Sequence, residues 1–516
     1  MSYLSIYKAS AGSGKTFSLV KEYLTILFGN PDEFAHISAV TFTNKATNEM
    51  KQRIIEELRK LAKGEDSNHI VHLAKRLNRN EAWVRERSKI IYNRLLHQYH
   101  DFNIQTIDSF FQRIIRGFAK DIGLSAGFRL EMDTDLVLEE SINKMMDELK
   151  PDTNLTKWIA QFSRELADES KNWDIRAQLF AFAKHIFKEE FIELEPQIAA
   201  FVNDKEKIHQ LSEQINVQIR SFRQQLEIWA KDGEALLNKH HLAPNDFSGK
   251  GRSFMQIFQK IKAHDFSLTD TFCNSIGYLE KWYAKTTDKD IIDRIQALYP
   301  EINPLLEKIY IYINDHGQHY FSALLAKENL YQLGILSEIQ SYIRRYRDEH
   351  EVILMSDTAA LIYRIIQNNE ESFVYEKAGT YYHHFLLDEF QDTSSLQWKN
   401  FKPLISNSIS QGYLCMLVGD VKQSIYRFRN GDWRLLMYHA EQDIPIHQVI
   451  QLNINYRSAI EIVRFNNTLF SSLPQMLSRQ FTREFEDNNI QSDAYRWFVD
   501  AYQGQQQHYN SKLTGY

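Results

Sequence analysis

The chain has 516 residues, of which 43% are hydrophobic and 25% charged, a balance that excludes a disordered or fibrous protein. At about 150 residues per domain, this length predicts about three domains. The net charge of −6 gives no global basic field, and two cysteines exclude a disulfide framework and cysteine-ligated zinc or iron–sulfur sites. No apolar stretch reaches the ~18 residues of a membrane span, and the first residues lack the charged region and long apolar core of a signal peptide. We therefore expect a cytoplasmic protein that does not enter a membrane.

Short apolar runs that predict buried strands occur towards both ends of the chain. They are residues 4–7, 37–42, 385–387, 414–418 and 449–452. Several of them lead into helical patterns, as in parallel βαβ units. Between about 121 and 345 the pattern changes to long helices. The sequence therefore predicts an α/β fold whose parallel sheet is interrupted by a large all-helical insertion.

The first candidate site directly follows the first predicted strand and precedes a helical run, the context of a phosphate-binding loop. Its glycines allow backbone dihedrals that turn successive N–H groups towards an anion. Lys15 would reach the β- and γ-phosphates of a nucleotide, and the Thr16 hydroxyl would ligate Mg²⁺. The loop consists of Ala9, Ser10, Ala11, Gly12, Ser13, Gly14, Lys15 and Thr16.

An acidic pair follows a later predicted strand. Asp388 and Glu389 come directly after the apolar run 385–387, which places them at the carboxyl end of that strand. In a parallel sheet this is the edge at which ligands bind. We expect Asp388 to hold Mg²⁺ and Glu389 to polarise an attacking water molecule.

Six motifs occur in the order found in superfamily I helicases of the UvrD/Rep type, which the chain resembles. They are ASAGSGKT (9–16), TFTNKATNEM (41–50), TIDSF (106–110), LLDEFQDT (386–393), VGDVKQSIYRFR (418–429) and LNINYRS (452–458). The resemblance implies RecA-like motor domains, with ATP and Mg²⁺ as cofactors. It divides the chain into a first RecA-like domain in two parts (1–120 and 346–447), the helical insertion (121–345) and the start of a second RecA-like domain (448–516).

Two features are similar to RecB and AddA, the helicase subunits of bacterial double-strand-break repair complexes. The phosphate-binding loop begins close to Met1, and the interval between 110 and 386 is long; the segment 128–149 also resembles AddA. This resemblance implies 3′→5′ movement on single-stranded DNA, action at duplex DNA ends and a partner subunit like AddB or RecC. Beyond 458 we find neither the remaining helicase motifs nor a nuclease constellation. We therefore expect a truncated chain that binds ATP–Mg²⁺ but hydrolyses it poorly.

The resemblance also assigns roles on the nucleotide side of the motor. Gln423 would sense the γ-phosphate, and Arg457 would contact it from the second RecA-like domain. A guanidinium suits that contact because it can bind phosphate oxygens in a bidentate manner. Tyr456 would support the base or sugar of the nucleotide.

On the DNA side, the resemblance predicts stacking and backbone contacts. Phe42, Tyr426 and Phe428 would stack on bases, which is sequence-tolerant as a translocating motor requires. The sugar-phosphate backbone would be contacted by polar and basic side chains, and such contacts position DNA without reading its sequence. These are Thr41, Asn44, Thr106, Ser109 and Arg429. Asp108 stands where the family more usually has histidine, and we exclude it from the site.

Two alternatives stay open at this point. One is a catalytically silent scaffold that keeps the helicase fold but only binds DNA or a partner protein. The intact Lys15, Asp388 and Glu389 argue against this alternative. The other is a stand-alone UvrD-like repair helicase, which the long helical insertion disfavours.

Overall fold

The structure, a computed structural model, describes residues 3–118, 128–131, 133–151, 153–168, 175–354, 357–368, 381–487, 494–504 and 506–509. It divides into two compact units. The sheet unit comprises Met1–Val137, Phe187–Ile192 and Tyr346–Tyr516. The helical unit comprises Leu138–Ile186 and Glu193–Arg345.

The sheet unit is built on six parallel strands. They are β1 (Leu4–Ala9), β2 (Ile37–Thr41), β3 (Ile104–Thr106), β6 (His384–Leu387), β7 (Cys415–Gly419) and β8 (His447–Leu452). Their order is β3-β2-β6-β7-β1-β8. This arrangement confirms the α/β fold with a parallel sheet and the five strands predicted from the sequence. The sequence does not predict β3, because a three-residue strand is too short to show a pattern.

Two short parallel pairs lie outside this sheet, β4 (Arg129–Glu131) with β5 (Val352–Leu354), and β9 (Ile454–Asn455) with β10 (His508–Tyr509). The predicted domain boundary at 448 divides β8, which pairs with β1 along its whole length. Residues 447–452 therefore belong to the same sheet as β1, and the domain boundaries stay a prediction.

Helices cover both faces of the main sheet. Those of the sheet unit are α1 (Lys15–Gly29), α2 (Asn44–Lys63), α3 (Ile70–Arg76), α4 (Glu81–His97), α5 (Ile107–Phe118), α14 (Thr358–Asn368), α15 (Ser395–Ser410), α16 (Ala440–Asp443), α17 (Ile460–Asp487) and α18 (Trp497–Ala501). The strand side chains alternate between two cores, as a pleated strand requires. Phe385 and Leu387 pack with α5 and α15, while Leu386 packs with α1, α2 and α4.

The helical unit has its own core. The helices between the two parts of the sheet unit are α6 (Thr134–Asp147), α7 (Asn154–Asp168), α8 (Ile175–Ala183), α9 (Glu189–Asn203), α10 (Lys205–Lys239), α11 (Ile257–Lys262), α12 (Asp270–Ser275) and α13 (Lys289–His350). Ile215, Phe222 and Leu226 on α10 pack with Leu306 on α13. Among the described helices, none is both long and apolar enough to cross a membrane.

Candidate active site

The phosphate-binding loop connects β1 to α1 at the carboxyl edge of the sheet. Gly12 and Gly14 have φ of 75° and 85°, left-handed values that residues with a Cβ rarely adopt. The loop closes on itself because the Ser13 N–H donates to the Ser10 carbonyl at 3.1 Å and the Ser10 N–H donates to Ser13 Oγ at 3.2 Å. Gly14 is the N-cap of α1 and has no side chain to cap it. The positive end of the α1 dipole therefore faces the loop uncapped, as an anion-binding site requires.

Lys15 connects this loop to the acidic pair. Its Nζ donates to Glu389 Oε2 at 2.6 Å and to Gln423 Oε1 at 3.4 Å. Only 13% of the Lys15 side chain is exposed, against 33% for Glu389. The fold thus brings Lys15 into contact with two other predicted site residues that lie about 400 positions further along the chain. Thr16 lies in the first turn of α1, next to Lys15.

Asp388 and Glu389 follow β6, where the Asp388 N–H donates to the Val40 carbonyl of β2 at 2.8 Å. Asp388 is buried, and this burial, together with the adjacent Glu389, raises its pKa to about 6. The nearby charges of Lys15 and Arg53 act in the opposite direction. The buried Asp388 carboxylate at the end of β6 and the Thr16 hydroxyl would supply the oxygen donors that Mg²⁺ prefers. These residues therefore fit a Mg²⁺–nucleotide.

A ring of hydrogen bonds joins the acidic pair to the loop after β7. Gln391 Nε2 donates to Glu389 Oε2 at 2.7 Å, and Gln391 Oε1 accepts from the Asp420 N–H at 2.9 Å. Asp420 Oδ2 in turn accepts from Gln423 Nε2 at 2.8 Å. Sequence reasoning misses Gln391 and Asp420 as site residues. The signal that could have found them is their place inside the fourth and fifth motifs.

Tyr456 and Arg457 lie beside the phosphate-binding loop. The Tyr456 N–H donates to the Gly12 carbonyl at 3.0 Å. The turn is held by Asn455, whose Oδ1 accepts from the Arg457 N–H at 2.8 Å and whose Nδ2 donates to the Ala11 carbonyl at 3.3 Å. Both predicted side chains are exposed. The last motif thus reaches the loop, while the contacts of these two side chains to a nucleotide stay predictions.

A cavity of about 360 Å³ opens next to the loop, between α1 and α2. Phe17 and Arg53 line it, and Phe17 stacks on His69 with ring centroids 4.2 Å apart. Phe17 is 42% exposed although α1 otherwise directs its large apolar side chains inward. Sequence reasoning misses Phe17 and Arg53 as candidate site residues. The available signal is an aromatic residue directly after the loop's Lys-Thr.

Three aromatic rings and one arginine form a cluster near the ends of β2 and β7. The Phe42 and Tyr426 centroids are 4.3 Å apart, and those of Tyr426 and Phe428 are 5.9 Å apart. Arg429 lies over the Phe42 ring at 5.5 Å. Phe428 is 81% exposed, which no packing role in this unit explains. We call Phe42, Tyr426 and Phe428 the aromatic platform.

The predicted DNA-backbone contacts differ in exposure. Asn44 is exposed at the start of α2, whereas Thr106 is buried and its Oγ1 lies 2.8 Å from the Oγ of half-buried Ser109 at the start of α5. Thr41 is completely buried, because its Oγ1 bonds Thr47 Oγ1 at 2.6 Å and the Thr43 carbonyl. Its hydroxyl therefore fixes the turn into α2 and offers no surface to DNA in this structure. Asp108, which we exclude from the site, is half-buried near Arg429, and burial raises its pKa.

Comparison with known proteins gives one family and a set of bacterial relatives. The model of the UvrD/REP helicase N-terminal domain matches residues 4–444. The chain is 28% identical over 503 residues to an ATP-dependent helicase/nuclease subunit from Bacillus velezensis, covering 90% of this chain and 38% of that protein. It is 25% identical over 538 residues to the corresponding protein from Lactococcus lactis subsp. cremoris, covering 96% and 41%. The chain thus spans about two fifths of the length of these relatives.

Proposed function

The chain belongs to the UvrD/REP helicase family, and from this premise we propose that it is the ATP-driven motor part of a DNA helicase. The observation that carries the proposal is the contact of Lys15 with both Glu389 and Gln423 at the sheet edge. The same edge carries the aromatic platform, so a nucleotide site and a base-stacking surface share one sheet.

On the nucleotide side, the loop N–H groups and Lys15 would hold the phosphates of ATP. Thr16 and Asp388 would hold Mg²⁺, which supplies positive charge to the phosphates. Phe17 and Tyr456 flank Gly14, since a Cβ placed on Gly14 would lie 3.8 Å from Phe17 and 3.9 Å from Tyr456. These two side chains, together with Arg53 in the cavity beside Phe17, would contact the base or ribose.

Lys15 changes partner in this proposal. In the structure its charge is taken up by Glu389, and a triphosphate would compete for the same ammonium group. Release of Glu389 leaves its carboxylate free to accept a proton from an attacking water molecule. Gln423 and Arg457 would then contact the γ-phosphate, where developing charge needs stabilisation.

On the DNA side, the aromatic platform would stack bases, at about 1–3 kcal/mol per base. Asn44, Thr106, Ser109 and Arg429 would contact the backbone and position the strand. Closing and opening around ATP would move single-stranded DNA across the platform, in the 3′→5′ direction that the family resemblance implies.

The names of the relatives extend the proposal to the whole protein. Because they are subunits of helicase/nucleases, we propose that this motor works in the cytoplasm with a partner subunit like AddB or RecC. Its substrates would be duplex DNA ends and the single strands released from them.

The test is ATP–Mg²⁺ binding together with single-stranded-DNA-stimulated ATP hydrolysis, compared between wild type and Lys15→Ala. Lys89→Ala is the matched control, because Lys89 pairs with Glu86 on the surface of α4. We expect Lys15→Ala alone to lose nucleotide affinity and any hydrolysis. Nucleotide binding that survives Lys15→Ala unchanged would refute the assigned site, and absence of binding in the wild type would favour a silent scaffold.

A further inference from the structure

Asp392 is a buried carboxylate that none of the roles above uses. It lies in the segment 390–394, directly after the acidic pair, and only 4% of its surface is exposed. A buried carboxylate is costly unless it is paired or hydrogen-bonded. Its position therefore calls for an explanation.

The segment 390–394 is interlocked with residues 424–432, which include two platform residues. The Ser424 hydroxyl donates to the Gln391 carbonyl at 3.3 Å, and the Asp432 N–H donates to the Thr393 carbonyl at 2.9 Å. Gly431 packs closely against both segments, because a Cβ on this residue would lie 3.1 Å from the carbonyl oxygens of Asp392 and Tyr426. The two segments are therefore held together by hydrogen bonds and close packing.

Asp392 stands where the two segments meet. Gln391 Nε2 donates to Asp392 Oδ2 at 3.3 Å and, at 2.7 Å, to the Glu389 carboxylate that holds Lys15. Burial raises the pKa of Asp392 to about 6, and the backbone N–H groups of Ile425 and Tyr426 act in the opposite direction. Its Oδ1 nevertheless completes no hydrogen bond with the described residues. Asp392 Oδ1 is thus a buried hydrogen-bond acceptor next to the loop that carries Tyr426, and a small shift of this loop could bring a donor to it.

We propose that Asp392 is a positioning residue that ties the loop 424–428 to the nucleotide site, so that ATP binding changes the affinity of the aromatic platform for single-stranded DNA. The path runs from Lys15 through Glu389 and Gln391 to Asp392 and the Tyr426 backbone. Nucleotide that draws Lys15 away from Glu389 alters the hydrogen bonds of Gln391. Because Gln391 also bonds Asp392, the change reaches the loop. This inference rests on the proposed function and names the residue through which its two sites are coupled.

The test measures coupling rather than activity. The affinity of the whole chain for a fluorescent oligothymidylate is measured with and without a non-hydrolysable ATP analogue and Mg²⁺, and the nucleotide affinity with and without the oligothymidylate. Coupling is reciprocal, so both ratios must agree, and coupled sites typically differ by about 5–150-fold. We expect Asp392→Asn to bring the ratio close to one while each affinity measured alone changes much less.

Two further variants separate positioning from a general loss of structure. Asp443→Asn is the control, because Asp443 accepts from Trp398 Nε1 and Lys402 Nζ, away from this path. It should retain the wild-type ratio. Gly431→Ala leaves Asp392 intact but forces the two segments apart, and we expect it to reduce the ratio as Asp392→Asn does. Thermal unfolding of each variant verifies that it folds.

The outcomes distinguish this inference from the proposed function. Wild-type coupling that survives Asp392→Asn overturns the role of Asp392, and binding of both ligands without any coupling in the wild type overturns it too. Failure of the wild type to bind nucleotide or DNA refutes the proposed function itself.

Discussion

Glu389→Gln should tighten nucleotide binding, because it removes the internal competitor for Lys15. The Lys15 Nζ to Glu389 Oε2 distance is 2.6 Å, and the two side chains are 13% and 33% exposed. At this distance two unit charges attract by about 2 kcal/mol in a water-like medium and about 6 kcal/mol at an effective dielectric constant near 20. Lost hydration and side-chain ordering offset most of that, and exposed pairs are worth at most about 1 kcal/mol.

Because the pair is partly exposed, we take about 1–2 kcal/mol as its net contribution, which corresponds to about 5–30-fold in affinity. The glutamine keeps an oxygen that can accept from Gln391 Nε2, so the surrounding ring of hydrogen bonds is retained. The variant should therefore bind ATP–Mg²⁺ about 5–30-fold more tightly than wild type while losing hydrolysis.

Isothermal titration with ATP–Mg²⁺ at fixed ionic strength measures this change directly. Glu86→Gln is the control, since Glu86 pairs with Lys89 on the surface of α4 and should leave the affinity unchanged. An affinity of Glu389→Gln equal to or weaker than that of wild type would show that Glu389 does not compete with the phosphates for Lys15.

Three further predictions concern the loop, the platform and the buried acid. Gly12→Ala should cost about 1–3 kcal/mol of folding free energy and abolish nucleotide binding, because φ is 75° and the new Cβ would lie 2.9 Å from Asn455 and Arg457 of the last motif. Urea denaturation should show no such loss for Gly29→Ala, because a Cβ at Gly29 meets nothing within 4 Å. Phe428→Ala should weaken oligothymidylate binding by about 1–3 kcal/mol without lowering the melting temperature, whereas Met476→Ala, also at an exposed position, should change neither. The pKa of Asp388 is raised from 3.8 to about 6, so the folded protein keeps a proton that the unfolded chain loses, and stability falls as pH rises between these values. The unfolding free energy of Asp388→Asn should therefore exceed that of wild type by about 1–3 kcal/mol at neutral pH and equal it below pH 3.8, where the wild-type carboxyl is protonated in both states. Equal stability of the two proteins at neutral pH would contradict this reasoning.

The parts of the site that the sequence predicts are those defined by short stretches of chain. A strand followed by a glycine-rich loop and a helix specifies its own anion site, and an acidic pair after an apolar run must lie at the carboxyl edge. For this reason the sequence predicts both Lys15 and Glu389, and the structure has them in contact.

Other features depend on packing between distant segments and leave no local pattern. Thr41 is buried because the chain turns between β2 and α2 and so places Thr47, in the first turn of α2, against it. No periodicity in the sequence predicts that turn. The cavity beside Phe17 exists only because α1 and α2 pack together. The pairing of β8 with β1 likewise joins distant segments of the chain.

The order of the strands has a consequence for biosynthesis. β1 pairs with β7 and β8, so Leu4 is matched to Cys415 and His447. A ribosome adding about 5–20 residues per second needs roughly 20–80 s to make the intervening chain. During that time β1 has neither of its strand partners, because all residues of the helical unit are synthesised before β7. β1 precedes the other strands of the main sheet in the chain and is thus among the last to reach its native pairing, which leaves its apolar side chains open to non-native contacts in the meantime.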